Sequence, residues 1–456
     1  MKLFTFFWLC IISIMGFAQT TVDRIIDSTQ VWTAANSPYI IDGNTTVQSG
    51  VQIVVKPGAI IYSSNGDHQF FVEGEFIAEG KEDSLIVFDN MKMHFRSNSV
   101  EFDSSTGKGS RFDFCMFTSD RNNSLDAIRI EQRSMSVTNS TFVDVNNGLY
   151  GESGSTKSTI HLSNNTYLGV RTKGNKPVNL FGRNYWLAMT NCYMENIWQI
   201  IPGPNALVRG NTFQKVNHSG ELVHLLQPRE FMFWCNKVVD VRNRVFQISN
   251  PDLLSHVSIR DNHFELIPGI MEIRLAQIGD SPGIVVTNNN FIDVTNVNAI
   301  RLLGATSSLR IDTLNFRSNY WNTQNTSFID NTIYDYHDDV DINVVVDYSN
   351  VLDEANTSCT SGSTIGASGL SSTHVPTPPD ATRVFPNPTN DWVVIKDPER
   401  QLEELVVHDL AGKHVWSQEV VSTSTTLDLT NLQTGTYILM LKGRQFHRVE
   451  RLIVTD

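Results

Sequence analysis

Polar side chains that could bind a ligand recur along the chain, each between apolar neighbours. Arg301, for example, stands between Ile300 and Leu302. Because successive side chains of a strand point to opposite faces, such a residue points away from the core that its neighbours enter. Planar, hydrogen-bonding groups in one row suit the binding of a sugar chain. The alternative is a solvated polar face, and the pattern favours this alternative. The row consists of Arg129, Asn179, Gln199, His224, Gln247, Glu272 with Arg274, and Arg301. The predicted ligand-binding residues among them are Arg129, His224, Glu272, Arg274 and Arg301.

Two groups of acidic residues could hold a cation. The segment 335–341 is acidic, but it lacks the glycine and the terminal glutamate of an EF-hand loop. In a second row of charged residues, the sign of the side-chain charge does not alternate regularly. Surface carboxylates and a solvated end segment are the favoured interpretations, and Ca²⁺ is the one cofactor left open. No nucleophile elbow, zinc motif or phosphate loop occurs, so no catalytic residue is predicted. The second row consists of Asp144, Glu195, Lys215, Asp240 and Asp293.

Aromatic side chains could stack on sugar rings. Tyr185, Trp186 and Trp198 cluster in one irregular part of the chain. Trp186 falls on a row that points inward, so core packing is its favoured use.

The elements that would position these side chains follow a repeat of about 25 residues. A bulky apolar residue recurs at Phe117, Phe142, Tyr167, Tyr193, Phe213, Val238, Phe264, Phe291 and Phe316. Five residues before each of these stands another apolar residue, from Phe112 and Ala188 to Ile311. This period, with short β-rich runs, predicts a parallel β-helix. The leucine scaffold of a leucine-rich repeat is missing.

We call these recurring bulky residues the anchors. Asparagine stands two residues before six consecutive anchors. Asparagine tolerates left-handed backbone, and stacked amides can bond to one another along the axis. Such bonds satisfy polar groups that would otherwise cost about 1–3 kcal/mol each when buried. The predicted ladder is Asn165, Asn191, Asn211, Asn236, Asn262 and Asn289.

The start of the chain and its charge bound where the protein works. A basic start at Lys2, an apolar run over 3–17 and small residues around Ala18 predict a signal peptide over 1–18. The run is too short to span a bilayer comfortably, so we expect no transmembrane segment in the mature chain; a retained anchor is the alternative. A formal net charge of −13 argues against nucleic-acid binding.

Four cysteines follow the predicted signal peptide. Cys192 and Cys235 lie two repeats apart, which corresponds to roughly 9–10 Å in a β-helix. A disulfide needs Cα atoms within about 7 Å. We therefore expect these two and Cys115 to be small core or turn residues rather than bridges.

The repeat resembles the right-handed parallel β-helix family. We expect the β-helix to extend over residues 20–358. The opening segments 37–41, 51–58 and 71–80 resemble those of bacterial surface β-helices, and 319–321 resembles their closing segment. Apolar residues at helical spacing in 328–336 predict a cap within 320–350, because an open end would be an unpaired edge. The resemblance also covers polysaccharide lyases, hydrolases and esterases, which place their catalytic groups outside one sheet.

The last 76 residues form a separate unit after a linker rich in Ser, Thr, Gly and Pro at 359–380. Alternating strands and turns over 381–456 predict a small β-sandwich, of immunoglobulin-like type. Its motifs resemble the type A sorting domain of type IX secretion in Bacteroidetes. The resemblance implies handling by that machinery, then release or attachment at the outer-membrane surface. The motif residues are Pro386, Asn387 and Pro388, then Gly412 and Lys413, then Gly435 and Tyr437.

These observations predict a secreted or cell-surface β-helix that binds polysaccharide or serves as an adhesive or structural rod. The alternative is a secreted polysaccharide-degrading enzyme, above all a Ca²⁺-dependent lyase. The first hypothesis is favoured because no base with several carboxylates stands out.

Overall fold

The computed structural model describes residues 19–359 and 383–454 with short gaps. The gaps are 120–124, 153, 155–156, 170–175, 183, 217–218, 252–253, 276–282, 305–310, 386–388, 390–391, 397–401, 410–413, 421, 423 and 444–446. The predicted signal peptide, most of the predicted linker, and the Pro386–Pro388 and Gly412-Lys413 motifs lie outside the described residues.

Three parallel sheets wind around one core, so that the first part of the chain is a parallel β-helix. Each coil contributes a strand to the first, the second and the third sheet in turn. In the described residues the first sheet has twelve strands. They are Thr20–Thr21, Tyr39–Ile41, Ile60–Ser63, Ile86–Asp89, Cys115–Thr118, Thr141–Val143, Thr166–Leu168, Tyr193–Glu195, Thr212–Val216, Lys237–Val241, His263–Ile267 and Asn290–Val294.

The second sheet consists of seven strands followed by five, in the described part of the chain. Single bridges at Ile200 and Ile201 join the two groups. The seven are Ile25–Ile26, Thr45–Val47, Gln69–Val72, Lys92–Phe95, Asp126–Glu131, Asn147–Glu152 and Lys176–Leu180. The five are Glu221–Leu226, Arg244–Ser249, Gly269–Arg274, Ile300–Leu303 and Ile333–Tyr334.

The third sheet has thirteen strands among the residues described. They are Gln30–Trp32, Gln52–Val55, Glu75–Glu79, Arg111–Asp113, Met135–Thr138, Ser158–Ser163, Tyr185–Thr190, Asn205–Arg209, Glu230–Trp234, His256–Arg260, Gly283–Thr287, Asp312–Asn315 and Val344–Asp347. A short 3-10 helix, Ala34–Asn36, lies in the first coils.

Aromatic rings stack through the core from coil to coil. Phe117 and Phe142 lie 4.6 Å apart between ring centroids, and Phe142 and Tyr167 lie 4.8 Å apart. The predicted anchors are wrong at two coils. Met194, one residue after Tyr193, is the buried residue that pairs with Tyr167, and Trp321 rather than Phe316 packs on Phe291.

The corner between the third and the first sheet holds each coil against the next. Its residue adopts left-handed backbone in coil after coil, as at Asn164 (φ 56°), Asn191 (φ 54°) and Asp261 (φ 59°). Asparagine and aspartate tolerate this conformation better than most residues. The backbone N–H of each corner residue donates to a carbonyl of the following coil, for example Asn191 to Arg209 at 3.1 Å.

The amide ladder occupies the position directly after this corner. The Oδ1 atom of Asn262 accepts from the backbone N–H of Asn236 at 2.8 Å and from its side-chain amide at 3.1 Å. The Asn262 amide donates in turn to the Phe233 carbonyl and to Asn289. The same pattern links Asn211, Asn236, Asn262, Asn289 and Asn319. In the earlier coils the ladder position is held by Cys115, Ser140, Asn165 and Cys192. There the backbone N–H of Cys115, Ser140 and Cys192 donates to the side-chain oxygen of the ladder residue in the following coil.

Asn191 does not belong to the ladder. It is the exposed corner residue of its coil, and buried Cys192 holds the ladder position, where its backbone N–H donates to Oδ1 of Asn211 at 2.9 Å. The prediction was wrong there because neighbouring positions both favour asparagine, one for its backbone and the other for its amide.

The last coil carries a short helix, Thr326–Asn331, whose first turn is capped by the side chain of Asn325. Ile329 of this helix is fully buried against the core, and Phe328 is exposed. Asp335 is also buried, and its carboxylate accepts from the backbone N–H groups of His337 and Val346. The acidic segment 335–341 therefore has a structural role at Asp335.

After the last strand the chain turns back along the third-to-first corner. We call residues 349–359 the clasp. It ends in a disulfide between Cys359 and Cys235, whose Cα atoms lie 5.4 Å apart. The expectation that Cys235 is unbridged was wrong, because the distance argument compared coils and not a segment that returns across them. Cys115 and Cys192 are free and buried, as expected.

The C-terminal unit consists of two antiparallel sheets with a core of their own, including Val393, Leu405 and Leu439. One sheet contains Arg383–Phe385, Trp392–Lys396 and Ser424–Asp428. The other contains His414–Glu419, Leu402–Asp409, Gly435–Gly443 and His447–Val454. The protein is thus an all-β chain, a parallel β-helix followed by a small β-sandwich.

Replacing Asn262 by alanine should destabilise the β-helix by at least about 2 kcal/mol, because buried groups of Asn236 and the Phe233 carbonyl lose their partners at about 1–3 kcal/mol each. Asn191→Gly is the matched control. It should change the unfolding free energy by no more than about 0.5 kcal/mol, since glycine suits a left-handed, exposed corner. Denaturant unfolding of both variants tests the ladder, and equal losses would contradict it.

Candidate ligand-binding face

The outer side of the second sheet carries one row of side chains that crosses eleven neighbouring coils. We call it the central row. Strand pairing joins its members one to the next, and the bridges at Ile200 and Ile201 carry it across the break in the sheet. The row consists of Phe71, His94, Arg129, Tyr150, Asn179, Ile201, His224, Gln247, Glu272, Arg301 and Tyr334.

The structure places most of the predicted row here. Arg129, His224, Glu272 and Arg301 lie in the central row, and Arg274 lies beside it, two residues after Glu272. Asn179 and Gln247 also belong to it. Gln199 does not: it is buried and donates to the Glu221 carboxylate at 2.7 Å.

Arginine is concentrated at the C-terminal end of the row. Glu272 is buried, and its two carboxylate oxygens bind different partners: Oε1 accepts from Arg274 Nε at 2.8 Å, and Oε2 accepts from Arg244. Burial would raise the pKa of Glu272, but these hydrogen bonds outweigh it and lower the pKa below its ordinary value. Glu272 is therefore ionised and orients two guanidinium groups.

Arg301 follows Glu272 in the row and is exposed. Its guanidinium carbon lies 5.9 Å from the centroid of the Tyr334 ring. Among the described residues no carboxylate pairs with Arg301. Three guanidinium groups and one carboxylate thus meet on neighbouring coils, which makes this end of the face locally cationic on an acidic protein.

Aromatic rings and arginines alternate at the N-terminal end of the row. Arg96 stacks 4.1 Å from the Phe71 ring centroid and pairs with Glu73 at 2.5 Å. Arg129 lies 5.4 Å from the Tyr150 ring centroid, and Tyr150 contacts the half-exposed ring of Phe181 at 6.0 Å. Cation–π contacts of this kind hold a guanidinium flat against its ring.

His94 is the titratable group between these arginines. Its Nε2 atom lies 2.7 Å from Oε1 of Glu131. Burial lowers the pKa of His94, and Arg129 and Arg96 oppose the raising effect of Glu131, so the net shift is downward.

Phe71, His94, Tyr150 and Tyr334 were missed in the sequence. The first two precede the regular repeat, and Tyr334 follows it, so the period does not reach them. Tyr150 lies within the repeat but was passed over because only polar planar groups were sought. Alternation with buried neighbours was the available signal.

A histidine–carboxylate pair lies near the middle of the row. His224 Nδ1 is 3.1 Å from Glu221 Oε1, the oxygen to which Gln199 also donates. A carboxylate that orients an imidazole is the arrangement a general base requires. Both residues of the pair lie on the strand Glu221–Leu226.

The second predicted row, for which surface carboxylates are the favoured interpretation, lies at a turn of the backbone. Asp144, Lys215, Asp240 and Asp293 all adopt left-handed backbone, with φ between 52° and 58°. The corner after the first sheet imposes this conformation, which explains the preference for aspartate. Glu195 stands one residue earlier, paired with Lys215. Within the described residues, no three His, Cys, Asp or Glu side chains are grouped to hold a metal ion.

Trp186 points outward, contrary to the prediction. Tyr185 is the buried residue of that strand, and Trp186 pairs with Thr159 and Asn205 on the outside of the third sheet. The predicted inward position is wrong by one residue here. The same error applies to Ala188, because its neighbour Met189 is the buried residue. Trp234 lies on the same sheet, with Arg260 stacked 3.8 Å from its ring centroid.

Comparison with known proteins identifies the C-terminal unit. Residues 383–455 match the family model described as a secretion system C-terminal sorting domain. The chain therefore carries a type IX sorting domain, which directs export to the cell surface or the medium. No curated protein and no solved structure matches the chain. In the described residues, no helix is long and apolar enough to cross a membrane.

Acid should weaken the β-helix partly through His94. Since its folded pKa lies below the unfolded value of 6.5, the unfolded chain binds more protons, and stability falls as the pH drops below about 6.5. His94→Gln should lose less unfolding free energy than the natural chain between pH 7 and pH 5. An identical pH dependence for His94→Gln and the natural chain would contradict the assignment.

Proposed function

We propose that the mature chain, after removal of a signal peptide over 1–18, is a polysaccharide-binding rod exported by a member of the Bacteroidetes. The observation that carries the proposal is the central row itself. Every coil of the row except that of Ile201 contributes a planar group, at about 4.8 Å spacing, so a ligand with a short repeat lying along the axis would meet similar contacts on most successive coils.

The chemistry of the row suits sugar rings. Phe71, Tyr150 and Tyr334 offer flat apolar surfaces with polar edges close by. Gln247 and His224 offer donors and acceptors between them. A row that crosses eleven coils favours an extended polymer over a small molecule, which would need a concave pocket.

The charge of the face favours an acidic polysaccharide. Arg244 and Arg274 are held in place by Glu272, and Arg301 stands beside them. Guanidinium groups bind carboxylates and sulfates through paired hydrogen bonds, and prior orientation lowers the entropy lost on binding.

A polysaccharide-degrading enzyme is the second candidate, and the His224–Glu221 pair is the observation that favours it. A lyase needs a base together with cations that neutralise the sugar acid. The arginines could supply the positive charge without Ca²⁺. The pair is one step of a row that crosses eleven coils, which supports binding of a polymer more than turnover at one point.

Binding of the full mature chain to acidic and neutral polysaccharides, with and without Ca²⁺, tests both candidates. Acidic polymers should bind, and Arg274→Gln with Arg301→Gln should weaken binding by roughly tenfold or more, as expected for lost charged hydrogen bonds. Arg260→Gln, on the third sheet, is the control and should bind as the natural chain does. Equal weakening in all variants, or no binding by any polymer, would contradict the proposal.

Product formation is followed in the same samples. Ultraviolet absorbance of an unsaturated sugar would make the protein a lyase, and new reducing ends without it would make the protein a hydrolase. Bound polymer without either product is the result that the proposal predicts.

A further inference from the structure

The clasp returns along one corner of the β-helix and crosses the last coils in order. Ser349 accepts from the N–H of Ser318, and the Leu352 N–H donates to Asn319 at 3.0 Å. Asn356 then exchanges two hydrogen bonds with the Asn290 side chain, at 2.7 and 2.8 Å.

The end of the clasp is held more tightly than its middle. The Asn356 amide donates to Oδ1 of Asp261 at 3.0 Å and to the Asn288 carbonyl. Ser358 donates to the same Asp261 oxygen, and Cys359 is bonded to Cys235 one coil further back. Asp261 and Cys235 are corner residues with left-handed backbone, so their side chains point out of the core towards the clasp.

We propose that the clasp is the load-bearing attachment of the β-helix. The polypeptide towards the sorting domain continues from Cys359, so tension from a surface-held C-terminus enters the β-helix at Cys235 and not at its last strand, Val344–Asp347. The inference rests on export to the cell surface and not on polysaccharide binding.

The attachment point changes how the β-helix would yield to force. Without the disulfide, tension would peel the clasp and then the end coils, breaking a few hydrogen bonds at a time. With it, tension reaches a coil whose strands, Glu230–Trp234 and Lys237–Val241, each have a neighbour on both sides. The coils between Cys235 and Cys359 are then closed in a covalent loop and carry no load.

The clasp also sets where the chain leaves the β-helix relative to the central row. Cys235 lies at the corner between the third and the first sheet, and the second sheet lies across the core from that corner. A tether leaving at Cys235 therefore starts on the side opposite the central row and leaves the outer side of the second sheet uncovered.

Single-molecule pulling of the full mature chain, with handles at both ends, tests the clasp. Under non-reducing conditions the disulfide keeps the loop between Cys235 and Cys359, 124 residues apart in sequence, from extending. Reductant should open this loop and add about 450 Å of extended chain. Reduced protein should also survive a constant load for a shorter time and release chain in steps of one coil, about 90 Å each. Cys359→Ser should behave like the reduced protein and should not respond to reductant.

Two outcomes would overturn the proposal. Equal extension with and without reductant would mean that the bond does not close the loop. Added extension with an unchanged lifetime under load would mean that the clasp does not carry the force. If Cys359→Ser does not fold, the natural chain with and without reductant still decides between these results.

Discussion

Each coil of the β-helix must begin at a fixed height above the previous one, and the corner between the third and the first sheet imposes this. One residue turns the chain in left-handed conformation and gives its N–H to the next coil. The residue after it carries an amide that accepts from the preceding coil and donates to that coil and to the following one. Because both contacts run along the axis, a shift of one coil by one residue would break bonds in two others.

The rest of the structure depends on this register. The stacked rings of the core meet only if equivalent residues lie above one another, and so do the members of the central row. Glu272 can bind Arg244, on the preceding coil, as well as Arg274 of its own strand because the two coils are held in step. The clasp uses the same corner: the outward side chains at Asp261 and Cys235 are available to it because the turn points them away from the core.

The period and the alternation of apolar residues were enough to predict the β-helix and much of the outward row. They failed where the backbone adds or removes a residue. Around Trp186 to Tyr193 the register slips by one, so Ala188, Asn191, Tyr193 and Trp186 were each assigned their neighbour's place. The clasp was missed for a different reason, since its partners are separated by 124 residues and no repeat marks them. The sorting domain was predictable because its motifs are local.

The outer side of the second sheet is the proposed recognition surface for polysaccharide. Footprinting with a reactive carbene, on the full chain with and without a bound acidic oligosaccharide, tests it most directly. We expect protection of Tyr150, Phe181 and Tyr334 on the second sheet and unchanged labelling of Trp186 and Trp234 on the third. Protection of the two tryptophans with the second sheet still labelled would contradict it.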